Sequence, residues 1–473
     1  DMVQFTKDTV SVDVFLQTRP GAAQSFEFRM VIIPHNLTAG VVDSFATLDG
    51  VISAGAAINS PVYQFGAGCF GGIAAPDLMK VARATLDNIT LQITAIPAVG
   101  EEVSVNANVN NVAATVAYEV KAADTIDDVA TGLSAALTAE YPAANTSNPT
   151  FAVATDTITV SLGSADPFSI SFGWASVELD TVIPHVRVED TTSDVLVDVL
   201  TTAIALDDDL SFIMAESHDS ADVVSLANYA ATTPYQYYTT SGDINTADNT
   251  NTSNIAHTLS LLAQNEVSLQ YSAVADTHFP EAYLVGNLAG IDPFRLNNQN
   301  LLTFQGVPTD TLSEQQRITL TQRNTNYYIK EHDVGTYREG WAMSGDFIDT
   351  IRFSKWVKIS TELALFNLFK SKADIGSAVP YSDTGSRMME SRVRNDVVNV
   401  GIRGGTIATG TTSDPINGTI KLDPIVNFGT RAAQTNSNIS NRIWDNGLVE
   451  VVYISGINHV KVNAYIILNR DPS

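Results

Sequence analysis

Between residues 186 and about 330 the chain alternates strand-like and helix-like segments, and this alternation restricts the fold more than any other feature. "SDVLVDVLTTAIAL", "LSFIMAES", "SADVVSLANYAA", "YQYYTTS", "NIAHTLSLLAQ" and "EVSLQYS" follow one another in order. A strand returning parallel to its predecessor needs a crossover long enough to hold a helix, so regular alternation of this kind predicts helices packed on a largely parallel sheet. The expected class is multidomain, α/β plus α+β, with a mixed α/β core.

The remaining sequence divides by changes of pattern. Residues 1–34 read as an extended arm and strand: Val10, Val12, Val14 and Leu16 fall on one side of the period, and Pro20 and Gly21 stop the run. Residues 35–88, rich in Ala and Gly, join 186–330 as the α/β domain. Between them, 89–185 reads as an inserted, strand-rich α+β domain. In it Val103, Val105, Ala107 and Val109 alternate with Ser104, Asn106 and Asn108 up to a turn at Asn110 and Asn111. It holds one helix, "DTIDDVATGLSAALTAEY", with Asp124 expected at the cap. Thr311 and Glu314 have capping-box spacing ahead of another helix. "TSGDINTADNTNTSN", residues 240–254, reads as a flexible polar loop. Residues 331–473 form the last domain, with a long helix over 340–372 and two closing strands, "LVEVVYIS" and "HVKVNAYIIL". The second carries Val460, Val462, Ala464, Ile466 and Leu468 on one face.

Bulk properties exclude some functions. At 473 residues the chain exceeds a single core, and about 150 residues per domain suggests three or so. A net charge of −26 repels nucleic acid and anionic membrane surfaces, so neither is expected as a partner. No apolar run reaches the roughly 18 residues of a membrane-spanning helix. A single cysteine, Cys69, rules out an intrachain disulfide and fits a reducing cytoplasm.

Four motifs imitate catalytic sites. "FGAGCFGGIAAP" sets Gly66, Gly68 and Gly71 at dinucleotide-loop spacing, but Pro76 interrupts the helix such a loop must open and no βαβ unit follows. Small residues that let two backbones approach are the better reading. "YSDTGS" has the Asp-Thr-Gly order of an aspartic protease without a second copy, and reads as a solvated turn before a helix. "SHD", Ser217 to Asp219, cannot form a triad from adjacent side chains. "LDDDL" around Asp207 to Asp209 lacks the ligand pattern of a calcium loop, and the seven histidines show no zinc spacing. No catalytic residue, cofactor or metal is expected.

Two features remain. Residues 340–403 carry nine of the 26 Lys and Arg, including a helical stripe of Arg352, Lys355 and Lys358 suited to an acidic partner. Alternating apolar strands at both termini need a sheet edge to join, either each other within one subunit or a neighbouring copy.

"LTFQGVPTDTLSEQQRITLTQRNTNYYI", "YREGWAMSGDFIDTIRFSKWVKISTELALFNLF" and "VPYSDTGSRMMESRVRNDVVNVGIRGG" follow in order over roughly residues 300–405. This series resembles the C-terminal half of contractile-tail sheath proteins of tailed bacteriophages, with looser similarity at 40–85 and 190–290. The block 89–185 departs from the pattern. The resemblance implies a non-enzymatic structural subunit that stacks as hexameric rings into a helical tube. It implies as partners other copies of the chain, the tail tube protein, and baseplate and tail terminator proteins. It places the protein in the virion tail, assembled in the host cytoplasm, with terminal strands exchanged between copies. On this reading Arg352, Lys355 and Lys358 face the inner tube. The rival readings are another structural protein, of a capsid or surface layer, and a carboxylate-dependent glycosidase.

Overall fold

The computed structural model describes residues 29–454, except 39, 144, 146, 164, 166, 174–184, 209, 297–298, 415–417 and 446. The terminal segments that carry Val10, Val12, Val14 and Leu16, and Val460, Val462, Ala464, Ile466 and Leu468, lie outside the described residues. The chain forms two compact units. One comprises the residues up to Pro293 together with Leu301–Lys355, the other Phe294–Asn300 and Trp356 onward.

In the first unit β1 (Arg29–Pro34), β2 (Val42–Phe45), α1 (Leu48–Ser53), α2 (Pro61–Gly71) and β3 (Met79–Ala84) begin the main sheet. After the strand-rich block the chain returns through α4 (Leu196–Leu206), β11 (Phe212–Ala215), α5 (Ser220–Ala231), β12 (Gln236–Ser241), α6 (Ile255–Leu262) and β13 (Val267–Tyr271). Then come α7 (Ala275–His278), α8 (Pro280–Leu288), α9 (Glu314–Gln322), β14 (Asn326–Glu331) and β15 (Val334–Arg338). The eight strands lie in the order β15-β14-β13-β12-β11-β1-β3-β2. The six strands from β14 to β3 in that order pair parallel, and only the edge strands β15 and β2 run antiparallel. The parallel sheet read from the alternation is therefore present. The β14–β15 hairpin extends it past residue 330, and the compact unit continues to Lys355.

A parallel sheet must be covered on both faces, so its central strands lack a polar side. β1 shows this directly. Val31 and Ile33 pack with Val51, Phe65 and Val285 from α1, α2 and α8. Met30 and Ile32 pack with Leu200, Leu226 and Leu259 from α4, α5 and α6.

The block comprises β4 (Asn88–Ile93), β5 (Glu102–Val109), β6 (Val112–Glu119), α3 (Ile126–Glu140), β7 (Thr150–Ala154), β8 (Thr157–Ser161), β9 (Phe168–Phe172) and β10 (Val186–Thr191). It contains a sheet β10-β4-β8-β7, a sheet β6-β5-β9, and a core of its own that includes Leu91, Val105, Leu133, Ile158, Phe168, Ile170 and Phe172. The alternation of β5 holds, with Val103, Val105, Ala107 and Val109 inward. Asn110 and Asn111 take φ of 51° and 65°, the left-handed pair that a two-residue hairpin turn requires.

Two helix starts differ from the sequence expectation. Asp124 does not cap α3: its carboxylate accepts from Tyr118 Oη (3.0 Å) and Lys121 N (2.8 Å). Thr125 takes the cap in a reciprocal box with Asp128. Likewise Thr311 and Glu314 do not cap α9. Leu312 is drawn toward the cluster around Leu320 and Tyr327, so the helix starts after it, and Ser313 forms the box with Gln316.

The second unit contains most of α10 (Ile348–Asp374), which begins in the first, then α11 (Asp383–Val393), a π-helical turn at Arg394–Val398, and α12 (Asn399–Gly404). It continues through β16 (Thr411–Asp414), β17 (Gly418–Lys421), β18 (Ile425–Asn427), α13 (Asn436–Asn441) and β19 (Leu448–Glu450). The long helix expected from residue 340 starts at Ile348 because Trp341 and Phe347 first close a small loop through a β-bridge. Among the described residues β16–β17 and β18–β19 are separate two-stranded sheets.

Candidate functional site

The glycine motif is no phosphate loop. Val62 to Phe65, the stretch a nucleotide site would need as a strand, lies inside α2, which starts at Pro61 behind a Ser60 cap. The glycines serve a helix–helix contact with α8. A Cβ on Gly72 would stand 2.3 Å from the Gly286 carbonyl carbon, and one on Gly286 would stand 2.2 Å from the Gly68 carbonyl oxygen. The protease-like stretch is the turn into α11: Ser382 is the cap residue, and Asp383 Oδ1 accepts from Arg431 N at 2.7 Å. Asp207 ends α4 and pairs with Lys80 at 2.8 Å, and Asp209 lies outside the described residues.

A polar crevice opens where the carboxyl ends of β1, β11 and β12 meet. Strand order turns back there: β3 follows β1 on one side, and β11, β12 and β13 step away on the other. Such a reversal leaves a gap between crossovers, the usual ligand position in open α/β sheets. His218, shortly after β11, holds Asp276 through Nδ1 (2.8 Å) and Glu281 through Nε2 (2.9 Å). Arg187 of β10 reaches Asp276 at 2.9 Å, and Thr240 donates to Glu281. Burial alone would lower the His218 pKa, but Glu281 and Asp276 outweigh it and push it up to about 10. The imidazolium is thus a fixed cation in a buried network that ties β10 to the main sheet.

Sequence reasoning considered "SHD" only as neighbouring residues and missed this convergence. The available signal was Glu281, an acid opening the otherwise buried helix "PEAYLVGNL". Among the described residues no group of three or more His, Cys, Asp or Glu could hold a metal ion.

The basic stripe divides along α10. Arg352 is buried, donates to the Ile291 carbonyl at 2.9 Å and lies over the Phe212 ring. Lys355 donates to the Pro234 and Tyr235 carbonyls at 3.0 and 3.1 Å. Lys358 is exposed. The two units differ sharply in charge: the second has 13 Lys and Arg against 10 Asp and Glu, the first 13 against 42. Their net charges are +3 and −29.

No family model and no curated protein matches the chain. Among solved structures it is similar to a sheath tail protein from Listeria innocua, with 10% identity over 92% of this chain and 96% of that one, at a TM-score of 0.49. It is also similar to a sheath tail protein from Desulfitobacterium hafniense, with 12% identity over 94% of this chain and 100% of that one, at a TM-score of 0.45.

Proposed function

We propose that the chain is the structural subunit of a bacteriophage contractile tail sheath. Copies stack as hexameric rings around an inner tail tube and contract to drive that tube through the host envelope. The observation that carries this reading is the ordered series of segments over residues 300–405, which runs through β14, β15, α10, α11 and α12. A helical tube of identical copies is an open, head-to-tail assembly, and its two states are alternative packings of one chain that require no bond cleavage.

The charge split supports a second contact. A near-neutral, slightly basic unit on a strongly acidic chain suits an acidic tube surface. Lys358, Arg387, Arg394 and Arg403 are exposed on that unit and are our candidates for the contact, whereas Arg352 and Lys355 are engaged within the first unit. Two-stranded sheets are marginal alone in water. Strand addition by the terminal segments of neighbouring copies would extend β16–β17 or β18–β19 and link the rings. Baseplate and terminator proteins would bound the tube at its ends.

Co-assembly with purified tube protein tests the tube contact. The triple variant Arg387→Glu, Arg394→Glu and Arg403→Glu should remain folded and lose tube-templated assembly. Unchanged assembly would remove these residues from the interface.

A further inference from the structure

We propose that the crevice at the carboxyl ends of β1, β11 and β12 binds a small organic cation bearing an ammonium or guanidinium group. The crevice has a volume of about 460 Å³. Its two cations are already committed, Arg187 to Asp276 and His218 to Asp276 and Glu281. Acids outnumber them: Glu189 and Asp190 from β10, Glu216 after β11, Asp219 and Asp222 at the head of α5, and Asp243 after β12.

A second observation points into the same space. Asp190 Oδ1 and Glu216 Oε2 are buried and have no hydrogen-bond partner among the described residues. Burial, reinforced by Glu189, pushes the Asp190 carboxyl up to about 8, and burial with Asp190 beside it raises Glu216 as well. Groups in this condition gain from any donor that reaches them.

The helix ends do not turn the site toward anions. Asp222 occupies the first turn of α5, and Asn254 already accepts from His257 N at the start of α6. A bare metal ion is a poor fit, because no three suitable ligands converge among the described residues. A ligand that brings its own N–H donors needs no such cage, and a guanidinium can meet carboxylates with paired hydrogen bonds. Ile32, Pro34, Leu196 and Phe279 offer apolar wall for a short alkyl chain.

Titration calorimetry of the full chain with agmatine, which has an ammonium at one end and a guanidinium at the other, tests this. The expected result is saturable one-to-one binding that 1,4-butanediol does not reproduce, weakened at least tenfold in the Asp190→Asn, Glu216→Gln double variant. Asp219→Asn is a second variant expected to keep its fold, since the Asp219 side chain caps no N–H of α5, and it should weaken binding several-fold. Heats that never saturate, or an affinity unchanged in both variants, would reduce the effect to general attraction by an acidic protein and overturn the proposal.

Discussion

His218 shows how one residue can hold two parts of the first unit together. Its imidazolium offsets the buried Glu281 carboxylate, so His218→Ala leaves that charge unpaired at a cost of about 3–5 kcal/mol near neutral pH. Because the folded pKa of about 10 lies above the ordinary 6.5, the stabilisation is complete below pH 6.5 and fades as pH rises through 10. Urea unfolding should therefore show a gap between wild type and variant that narrows toward pH 10. Glu362 on α10 is the opposite case: it is buried, neither carboxyl oxygen has a partner among the described residues, and burial pushes it up to about 8 despite Lys358. It is neutral in the fold but ionises when unfolded, so its contribution to stability declines from about pH 4.5 to pH 8. Glu362→Gln should raise the melting temperature at pH 8 and leave it nearly unchanged at pH 4.5; an equal effect at both would refute the assignment. Neither role was legible from sequence, since both depend on which distant groups arrive beside the side chain.

At the scale of elements, local pattern was readable where one period dominates. β5 kept its inward valines and its Asn-Asn turn, and the helices and strands from 193 to 272 appeared in the order read. Cap positions slipped by one or two residues because neighbouring side chains compete for the same role. Residues 240–254 were misread more seriously. They contain a 3-10 turn at Ile244–Ala247, and Arg323 donates to the Asn245, Thr246 and Asn251 carbonyls, so a polar composition concealed a pinned loop. Arg323→Ala should speed amide exchange across this loop while leaving β1 and β11 protected. The glycine motif makes a complementary prediction. Gly286→Ala forces α2 and α8 apart and should cost about 1–3 kcal/mol. Gly71→Ala meets no atom within 4 Å and should be neutral or slightly stabilising, so chemical denaturation of the pair separates packing from backbone effects.

For the whole molecule, the alternating segments predicted the doubly covered parallel sheet, because that pattern has few other solutions. The crevice at its switch point was hidden, since it draws on residues from Ile32 to Phe279. The division of charge was visible only in part: the sequence showed a basic region at 340–403, but the second unit draws its boundary at Trp356 and adds Arg295 from an earlier segment. Assembly is the central claim at this scale, and electron microscopy of the purified, concentrated full chain beside a version lacking residues 1–18 tests it most directly. The account predicts hollow tubes of uniform width from the full chain and only small particles from the shortened one. Folded, discrete monomers from both would contradict it.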